Sequence, residues 1–311
     1  VTKSYRVTND RDAIQWEEKY CRVILERTDD QFEYVLSQEG EAWRKVIKHN
    51  GSAIPLTQVY GLLPTILFSP ETMQLIDGSP SERRRFLDTV LSQADRAYIE
   101  ALVTYRRVIK ERHFVLLRLQ QGLGSEDELD FWDTQLVQSG SYILEKRQEF
   151  LKEINRYLET IYPQFVEEGA REKLVLQYKP TVQISEYADK LRRMRHYDSK
   201  RSTTHIGPHR DELTFLLRER DITLFASRGE LRRSVLATKL AETLFLKDKN
   251  GHEPVLLLDD VFSELDADRR GHFLEAIKDY TTIITTTDES FVTNSPLPDM
   301  LIHRLPLHTK E

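Results

Sequence analysis

The sequence lacks the features of a membrane or secreted protein. None of its apolar runs approaches the roughly 18 residues of a membrane-spanning helix, and the richest runs, residues 62–68 and 255–258, have the length of a strand. The start has no basic and apolar segment typical of a signal peptide. The single cysteine, Cys21, excludes an internal disulfide and a cysteine-based zinc site. We therefore expect a cytoplasmic protein without a membrane partner.

The composition also excludes a disordered or low-complexity chain. The 311 residues include only 12 glycines and 11 prolines, while 39% are hydrophobic and 31% are charged. A chain of this length forms one large domain or two ordinary ones. Because the net charge is −6, any contact with nucleic acid must come from local basic clusters.

Three regions differ in their hydrophobic pattern. Residues 21–68 alternate in short runs broken by polar turns, which predicts strands, the last of them buried and ending at Ser69. From residue 81 to 168, apolar residues recur every three, four or seven positions in two stripes, and Arg112 interrupts the first. Two such helices, joined by a turn near residues 122–128, predict an antiparallel hairpin with arms of roughly 45 Å.

Strand signals return after Arg171 and alternate with helices. The order predicts a mainly parallel sheet covered by helices. The predicted strands are residues 174–178, 213–217, 222–225, 255–258 and 281–286, and the predicted helices begin at Ser227 and at Ala267.

Two carboxylates follow a buried strand. Asp259 and Asp260 come directly after four apolar residues, and ligands of open α/β sheets bind at the carboxyl ends of strands. There Asp259 could hold Mg²⁺, directly or through water, and Asp260 could orient or deprotonate an attacking water. The alternative is an acidic pair that simply ends the strand.

The start of the helix at Ser227 also has two interpretations. Ser227 and Glu230 have the spacing of a capping box, which needs no ligand. The free N–H groups and the dipole of a helix N-terminus equally favour a bound phosphate.

Basic residues follow two further turns. Arg83, Arg84 and Arg85 fall in the first turns of a helix, where positive charge is unfavourable, so either an anionic partner or a solvated turn explains them. His209 follows a Gly-Pro turn and serves either that turn or a phosphate contact.

Two basic clusters are candidates for DNA contact that is independent of sequence and sensitive to salt. One lies on the first arm helix, which also carries Arg112 and Arg118, and the other lies within residues 190–201. The alternative for each is a solvated helix face. The candidate residues are Arg106, Arg107, Lys110, Arg192, Arg193, Arg195, Lys200 and Arg201.

Four segments together resemble the RecF family of bacterial DNA replication and repair ATPases, which is related to the heads of SMC-type proteins. They are PETMQLIDGSPSERRRFLD at residues 70–88, GPHRDEL at 207–213, SRGE at 227–230 and LLLDDVFSELD at 256–266. The resemblance implies an α/β fold of the P-loop NTPase class and ABC/SMC-head type, with a mixed sheet, flanking helices and an inserted antiparallel helical arm. The implied parts are a first head segment (1–88), the arm (89–170), and a second head segment with signature, Walker B strand and D-loop (171–311).

The resemblance also implies ATP and Mg²⁺ as cofactors. Asp259 would serve the metal, Asp260 would be catalytic, and the nucleotide, partly held by a second copy, would contact Ser227, Arg228, Gly229, Glu230 and Asp266. Glu230 departs from the usual glutamine, and Thr287-Asp288 stands where transporters carry a switch histidine. The implied role is recombinational repair, replication-fork maintenance and the SOS response. An ATP-bound homodimer on double-stranded DNA near gaps would help to load recombinase with RecO and RecR.

The phosphate-cradle motif G-x-x-x-x-G-K-[S/T] does not occur in the sequence. In the family it precedes the region matched by residues 3–6, so we expect the sequence to begin just after the P-loop helix and to bind ATP poorly or not at all as it stands. The alternative is a nucleotide-independent DNA-binding or scaffold protein. A long coiled-coil SMC-type protein is disfavoured, because the arm is short and lacks a C-x-x-C hook.

Overall fold

The computed structural model of the chain describes residues 9–27, 30–166, 172–261, 267–287 and 300–304. Within these ranges the strands form three separate sheets. The strands are β1 (Tyr20–Arg27), β2 (Asp30–Glu39), β3 (Ala42–His49), β4 (Ser52–Ala53), β5 (Thr65–Phe68), β6 (Leu174–Lys179), β7 (Glu212–Leu217), β8 (Arg220–Asp221), β9 (Val255–Asp259) and β10 (Thr282–Thr285). The helices are α1 (Leu56–Val59), α2 (Gln74–Asp77), α3 (Pro80–Ala94), α4 (Arg96–Gln120), α5 (Glu128–Ile161), α6 (Tyr187–Arg201), α7 (Arg228–Asn250) and α8 (Ala267–Ile277).

The first sheet is an antiparallel meander of β1 to β4, as the alternating pattern of residues 21–48 predicts. Gly40, with φ of +64°, lies in the tight turn between β2 and β3, where the left-handed region favours glycine. Phe32 and Leu36 of β2 are buried on one face of the meander, which favours a single register of its strands.

The second sheet is parallel, and its strand order is β10-β9-β5. The central strand β9 buries Leu256 and Leu258 almost completely, which confirms the strand predicted from its apolar run. The prediction of a mainly parallel sheet holds for these three strands only, because β6, β7 and β8 pair antiparallel in a third sheet.

The strand predicted at residues 222–225 is wrong. Residues 222–224 form a 3-10 turn, because the Asp221 side chain accepts the backbone N–H of Thr223 at 3.0 Å and caps the turn.

Helices α4 and α5 form the predicted antiparallel hairpin. They contain 25 and 34 residues, or about 37 and 51 Å at 1.5 Å per residue. The tip of the arm has a small core of its own around Leu116 and Leu129. The first stripe is broken at Asp95, whose side chain accepts the N–H groups of Ala97 and Tyr98 and caps α4, so α3 is a separate helix.

Arg112 does not interrupt the stripe as predicted but lies inside the arm. Its side chain is fully buried, and its guanidinium group donates to Asp133 of α5 at 2.7 Å, to Asp198 of α6 at 2.8 Å and to Thr204 at 2.7 Å. These contacts hold α6 against the arm, although α6 falls in the predicted second head segment. The three-part division of the chain stays a prediction.

Helix α7 is buried on more sides than its predicted apolar stripe implies. Residues 234–243 are all buried, including the ion pair between Lys239 and Glu242. Burial raises the pKa of Glu242, while the adjacent ammonium group opposes that shift. No helix among the described residues combines the length and apolar character that a membrane span requires.

Candidate functional site

The two predicted carboxylates lie at the carboxyl edge of the parallel sheet. Asp259 is the last residue of β9, and it accepts a hydrogen bond from the hydroxyl of Thr285 on β10. The N–H of Asp260 donates to the carbonyl oxygen of Thr285 at 3.0 Å. Asp260 has φ of +51°, so the chain leaves the strand through the left-handed region, which aspartate tolerates better than most residues. Because the chain turns at Asp260, the side chains of Asp259 and Asp260 do not point to opposite faces of the sheet as consecutive strand residues do.

A small cleft opens beside Asp260. One wall is the end of β5 and the turn after it, which includes Ser69 and Thr72, and the other wall is α7, with Arg232 and Val235. The Ser69 N–H donates to the Thr72 hydroxyl at 2.9 Å, which fixes the turn. The cleft therefore joins a carboxylate and a guanidinium group to an otherwise apolar wall, as small-molecule sites commonly do.

Asp259 and Asp260 fit a metal site only if a bound substrate supplies further ligands to the metal. No group of three or more His, Cys, Asp or Glu side chains able to hold a metal occurs in the part of the chain that the structure describes. Magnesium in phosphate-transferring proteins is commonly held by one or two carboxylates together with substrate phosphates and water. Asp259 and Asp260 match that donor set, so they could hold Mg²⁺ together with a bound triphosphate.

The start of α7 forms the capping box predicted from its sequence. The hydroxyl oxygen of Ser227 accepts the N–H of Glu230 at 3.3 Å, and Glu230 accepts the N–H of Ser227 at 2.8 Å. Arg218 approaches the second carboxylate oxygen of Glu230 at 2.6 Å. The Ser227 N–H above all, with Arg218, holds the pKa of Glu230 below its ordinary value. Because Arg218 also pairs with Glu172, it offsets only part of the negative charge of Glu230.

The other candidates for nucleotide contact lie near this cap or outside the described residues. Ser227 and Arg228 are exposed, and Gly229 has open space around its Cα. The helix start is thus accessible from outside the chain. Asp266 lies outside the described residues, as does Asp288.

Most candidate DNA-binding residues lie on exposed helix faces. Arg107 and Lys110 are exposed on α4, and Arg106, also exposed, pairs with Asp88 at 3.0 Å. On α6 the exposed residues are Arg192, Arg193, Lys200 and Arg201. The two helices lie side by side, since Gln120 near the end of α4 donates to the carbonyl oxygen of Lys200 at 2.8 Å.

Arg195 differs from the rest of this set. Its side chain is only 11% exposed, and it forms ion pairs with Asp130 and Asp133 of α5 at 2.6 and 2.7 Å. We therefore leave Arg195 out of any DNA-contacting face. Arg112, also in the first basic cluster, is buried, and Arg118 pairs with Glu128 at 2.7 Å.

The basic turn of α3 has a carboxylate partner, one of the alternatives left open by the sequence. Arg83 pairs with Glu212 of β7 at 2.8 Å, and Arg84 donates to the carbonyl oxygen of Asp211 at 3.1 Å. These contacts join the residue 70–88 and 207–213 segments in space.

His209 has a structural role in its turn. Its Nε2–H donates to the carbonyl oxygen of Thr204 at 3.0 Å, and its Nδ1 therefore accepts the Tyr105 hydroxyl at 2.6 Å. Burial lowers the pKa of His209 to about 4, so the ring is neutral at physiological pH. Gly207, with φ of +115°, starts this turn, and a Cβ there would clash with the hydroxyls of Tyr105 and Tyr187.

Sequence reasoning missed the buried pair of Lys239 and Glu242. Their spacing of three residues usually marks an exposed helix face, and nothing in their sequence neighbourhood distinguishes them. Lys239 lies 5.9 Å from the ring centres of both Phe68 and Phe86, so its charge rests between two aromatic rings.

Comparisons with known proteins bring these observations together. A DNA replication and repair protein RecF from Agathobacter rectalis is 34% identical over 306 residues, which cover 97% of this chain and 84% of that protein. The protein of the same name from Halalkalibacterium halodurans is 34% identical over 321 residues, covering 98% of this chain and 85% of that protein. The chain belongs to the RecF family. No protein-family model matches it.

Solved structures agree with this RecF-family assignment. The recombination mediator protein RecF in complex with ATP, described in the RecFOR pathway, superposes with a TM-score of 0.83 at 29% identity over 92% of this chain and 79% of that chain. The ATPrS complex gives a TM-score of 0.82 at 28% identity over 93% of this chain and 80% of that chain. The predicted fold class, an ABC/SMC-type ATPase head with an inserted helical arm, is confirmed. Membership of the family also supports a role in DNA replication and repair.

Proposed function

We propose that this RecF-family chain is a DNA-binding ATPase of recombinational repair and replication-fork maintenance that acts in the cytoplasm. It would dimerise with ATP on double-stranded DNA near single-strand gaps, and with RecO and RecR would help to load recombinase during the SOS response. The observation that carries this proposal is the pair Asp259 and Asp260 at the carboxyl edge of β5, β9 and β10, in a chain similar to ATP-bound RecF.

At this edge the chain itself would act by positioning and charge. Asp260 would accept a hydrogen bond from the attacking water, while Asp259, steadied by Thr285, would face the metal. Mg²⁺ with ATP would supply charge neutralisation at the phosphates. Arg232 on the opposite wall of the cleft offers positive charge near Asp260.

A second copy of the chain would complete the nucleotide site. The capped start of α7 is exposed, and its N–H groups and dipole favour an anion. Ser227, Arg228 and Gly229 are therefore proposed to face the γ-phosphate held by the partner. Arg218 pairs with both Glu172 and Glu230, so it offsets part of the charge that Glu230 would place near a phosphate.

The DNA-contacting face would consist of seven exposed basic residues near the contact between α4 and α6, namely Arg106, Arg107, Lys110, Arg192, Arg193, Lys200 and Arg201. Arg192 and Arg193 make no ion pair with any described residue, and Arg201 lies 4.0 Å from the ring centre of Tyr197. Such a face binds the phosphate backbone and not the bases, so its affinity falls as the salt concentration rises.

Hydrolysis tests the nucleotide part of the proposal. The assay uses the product of the complete reading frame that contains these 311 residues. We expect slow ATP hydrolysis that duplex DNA stimulates, and a loss of about 100-fold or more in Asp260→Asn, because a positioned base contributes at least that much. The matched control is Asp279→Asn, an exposed carboxylate after α8. Hydrolysis by Asp260→Asn at the wild-type rate would overturn the role of Asp260.

The alternative is a nucleotide-independent DNA-binding or scaffold protein. If the complete reading frame also lacks G-x-x-x-x-G-K-[S/T], and its product binds no ATP while still binding DNA, this alternative replaces the ATPase. Sequencing the reading frame and a fluorescent-ATP titration make that distinction.

DNA binding is tested separately. The double variant Arg192→Gln/Arg193→Gln removes two exposed charges from α6, and we expect its affinity for a gapped duplex to fall about tenfold at 0.1 M salt. The slope of log affinity against log salt should fall by about two. The matched control, Arg96→Gln/Lys152→Gln, removes two exposed charges of α4 and α5 outside the proposed face. Equal loss in both variants would refute the face.

A further inference from the structure

A second basic cleft lies away from the strand edge. We call it the α3–α4 cleft, and its volume is about 930 Å³. Helix α3 contributes Ser81, Arg84, Arg85 and Asp88, which share one face because they are three and four residues apart. Helix α4 contributes Arg106, and Arg147 of α5 closes the inner end beside the His209 turn. Of the residues that line the cleft, four are arginines and one is an acid.

The charged side chains at the inner end of the cleft already have partners within the protein. Arg147 is buried, and its three nitrogens donate to the Tyr98 hydroxyl, the Pro208 carbonyl oxygen and Asp88. Each of its nitrogens is thus already engaged inside the protein, and Arg147 contributes mainly positive charge to the cleft. Asp88 accepts from Arg147 at 2.8 Å and from Arg106 at 3.0 Å, so its single negative charge is shared by two guanidinium groups.

The outer part has spare donors. Among the described residues, Arg84 makes one hydrogen bond, through one terminal nitrogen to the Asp211 carbonyl oxygen. In the part of the chain that the structure describes, Arg85 has one distant carboxylate partner, Glu82 at 3.7 Å, and Arg106 donates to Asp88 alone. Three guanidinium groups with unused N–H donors around one opening match the oxygen pattern of a phosphate.

Neighbouring guanidinium groups act on the inner wall of the cleft. Burial above all, together with the guanidinium groups of Arg147 and Arg210, lowers the pKa of Arg84 against the opposing effect of Glu212. After burial, the charges of Arg210 and Arg84 also help to lower the pKa of His209. A bound anion would offset the part of each shift that the neighbouring guanidinium groups contribute.

We propose that the α3–α4 cleft binds a phosphate of the DNA backbone through Arg84, Arg85 and Arg106, at a site separate from the strand edge. Continuity with the basic face of α4 favours a nucleic-acid strand over a free phosphate compound. Arg106 is 66% exposed and stands one helical turn before Lys110, so a strand following α4 reaches the opening of the cleft. This inference rests on the proposed DNA-binding function and extends it to α3.

Two variants test the cleft without removing a contact of the core. Ser81→Glu introduces a carboxylate at the exposed first turn of α3, where it competes with phosphate for Arg84 and Arg85 and is favourable for the helix itself. Arg84→Gln removes the best-positioned donor at the cost of one hydrogen bond. The matched control is Arg96→Gln, an exposed arginine of α4 that, like Arg106, is 66% exposed and paired with a carboxylate.

The measurement is fluorescence anisotropy of a labelled gapped duplex with the complete protein, over about 50 to 200 mM salt. We expect Ser81→Glu and Arg84→Gln to weaken binding about fivefold to tenfold, and Arg84→Gln to reduce the salt slope by about one. Arg96→Gln should stay within about twofold. Thermal unfolding of each variant checks that the fold is retained, and we expect Ser81→Glu to be at least as stable as the wild type.

Three outcomes would overturn the inference. If Arg192→Gln/Arg193→Gln weakens DNA binding while both cleft variants bind normally with unchanged slopes, DNA uses α6 without the cleft. If inorganic phosphate shifts the NMR titration of His209 but gapped duplex does not, the cleft binds a free phosphate compound and not DNA. If every variant, the control included, weakens binding equally, the effect is one of net charge. Absence of DNA binding by the wild-type protein refutes the proposed function itself.

Discussion

Replacing Arg112 by leucine should destabilise the arm strongly. The guanidinium group is fully buried and makes three hydrogen bonds of 2.7 to 2.8 Å, two of them to carboxylates. Without it, the one ionic partner that Asp198, itself fully buried, keeps among the described residues is His205, at 2.8 Å. Removing one partner of a buried ion pair costs about 3–5 kcal/mol, because the remaining charge is left without compensation. We therefore expect Arg112→Leu to lower the free energy of unfolding by about that amount.

Urea unfolding followed by far-ultraviolet circular dichroism measures this change, since most of the described helix lies in and around the arm. Arg107→Leu, an exposed change on the same helix, should alter the free energy of unfolding by less than about 0.5 kcal/mol. Asp198→Asn in the Arg112→Leu background neutralises the stranded carboxylate and should restore at least about 1 kcal/mol.

Two results would refute this reasoning. If Arg112→Leu unfolds within about 1 kcal/mol of the wild type, the buried pair contributes little beyond what apolar packing supplies. If Asp198→Asn destabilises the Arg112→Leu variant further, Asp198 serves its other partners and not Arg112. Since Arg112 also ties α6 to the arm, a destabilised variant should lose DNA affinity together with stability.

The remaining predictions concern the His209 turn and the start of α7. Folding favours the neutral His209 ring, because the pKa of His209 is about 4 in the folded chain and roughly 6.5 in the unfolded chain. The contribution of His209 to the free energy of unfolding is therefore complete above pH 6.5 and is lost as the pH falls towards 4. The difference in unfolding free energy between the wild type and His209→Gln should therefore change by about 3 kcal/mol between pH 7 and pH 4, and a constant difference would contradict the burial of the ring. Ser227→Ala should lower the free energy of unfolding by about 1 kcal/mol while Ser227→Asp does not, because only a side-chain acceptor can cap the helix. Equal stability of the two variants would contradict the capping box.

Local sequence signals predicted the elements that depend on neighbours along the chain. The apolar run of β9, the turn between α4 and α5, and the spacing of Ser227 and Glu230 each depend on a few consecutive residues. The structure has the corresponding strand, hairpin and cap. The break at Asp95 could have been found in the same way, since aspartate is a strong helix cap and this one accepts two N–H groups.

Features that depend on distant partners could not be predicted from a single sequence. Arg112 interrupts an apolar stripe in sequence, and only its contacts with Asp133 and Asp198 from two other helices make its burial favourable. Lys239 and Glu242 likewise neutralise each other in a helix that is buried by α5, α3 and β5, all far away in the chain. The division of strands into parallel and antiparallel sheets also depends on which segments meet, and the hydrophobic pattern does not encode this.

The pairing of β5 with β9 has a consequence for synthesis of the protein. Thr65 aligns with Val255, so the whole arm is translated between two adjacent strands. The arm contains mostly local contacts and can fold during translation, whereas the parallel sheet of β5, β9 and β10 forms only after the last part of the chain has been synthesised. Until then the hydrogen-bonding edge of β5 has no partner from β9, and a chaperone that shields it would raise the yield of correctly assembled protein.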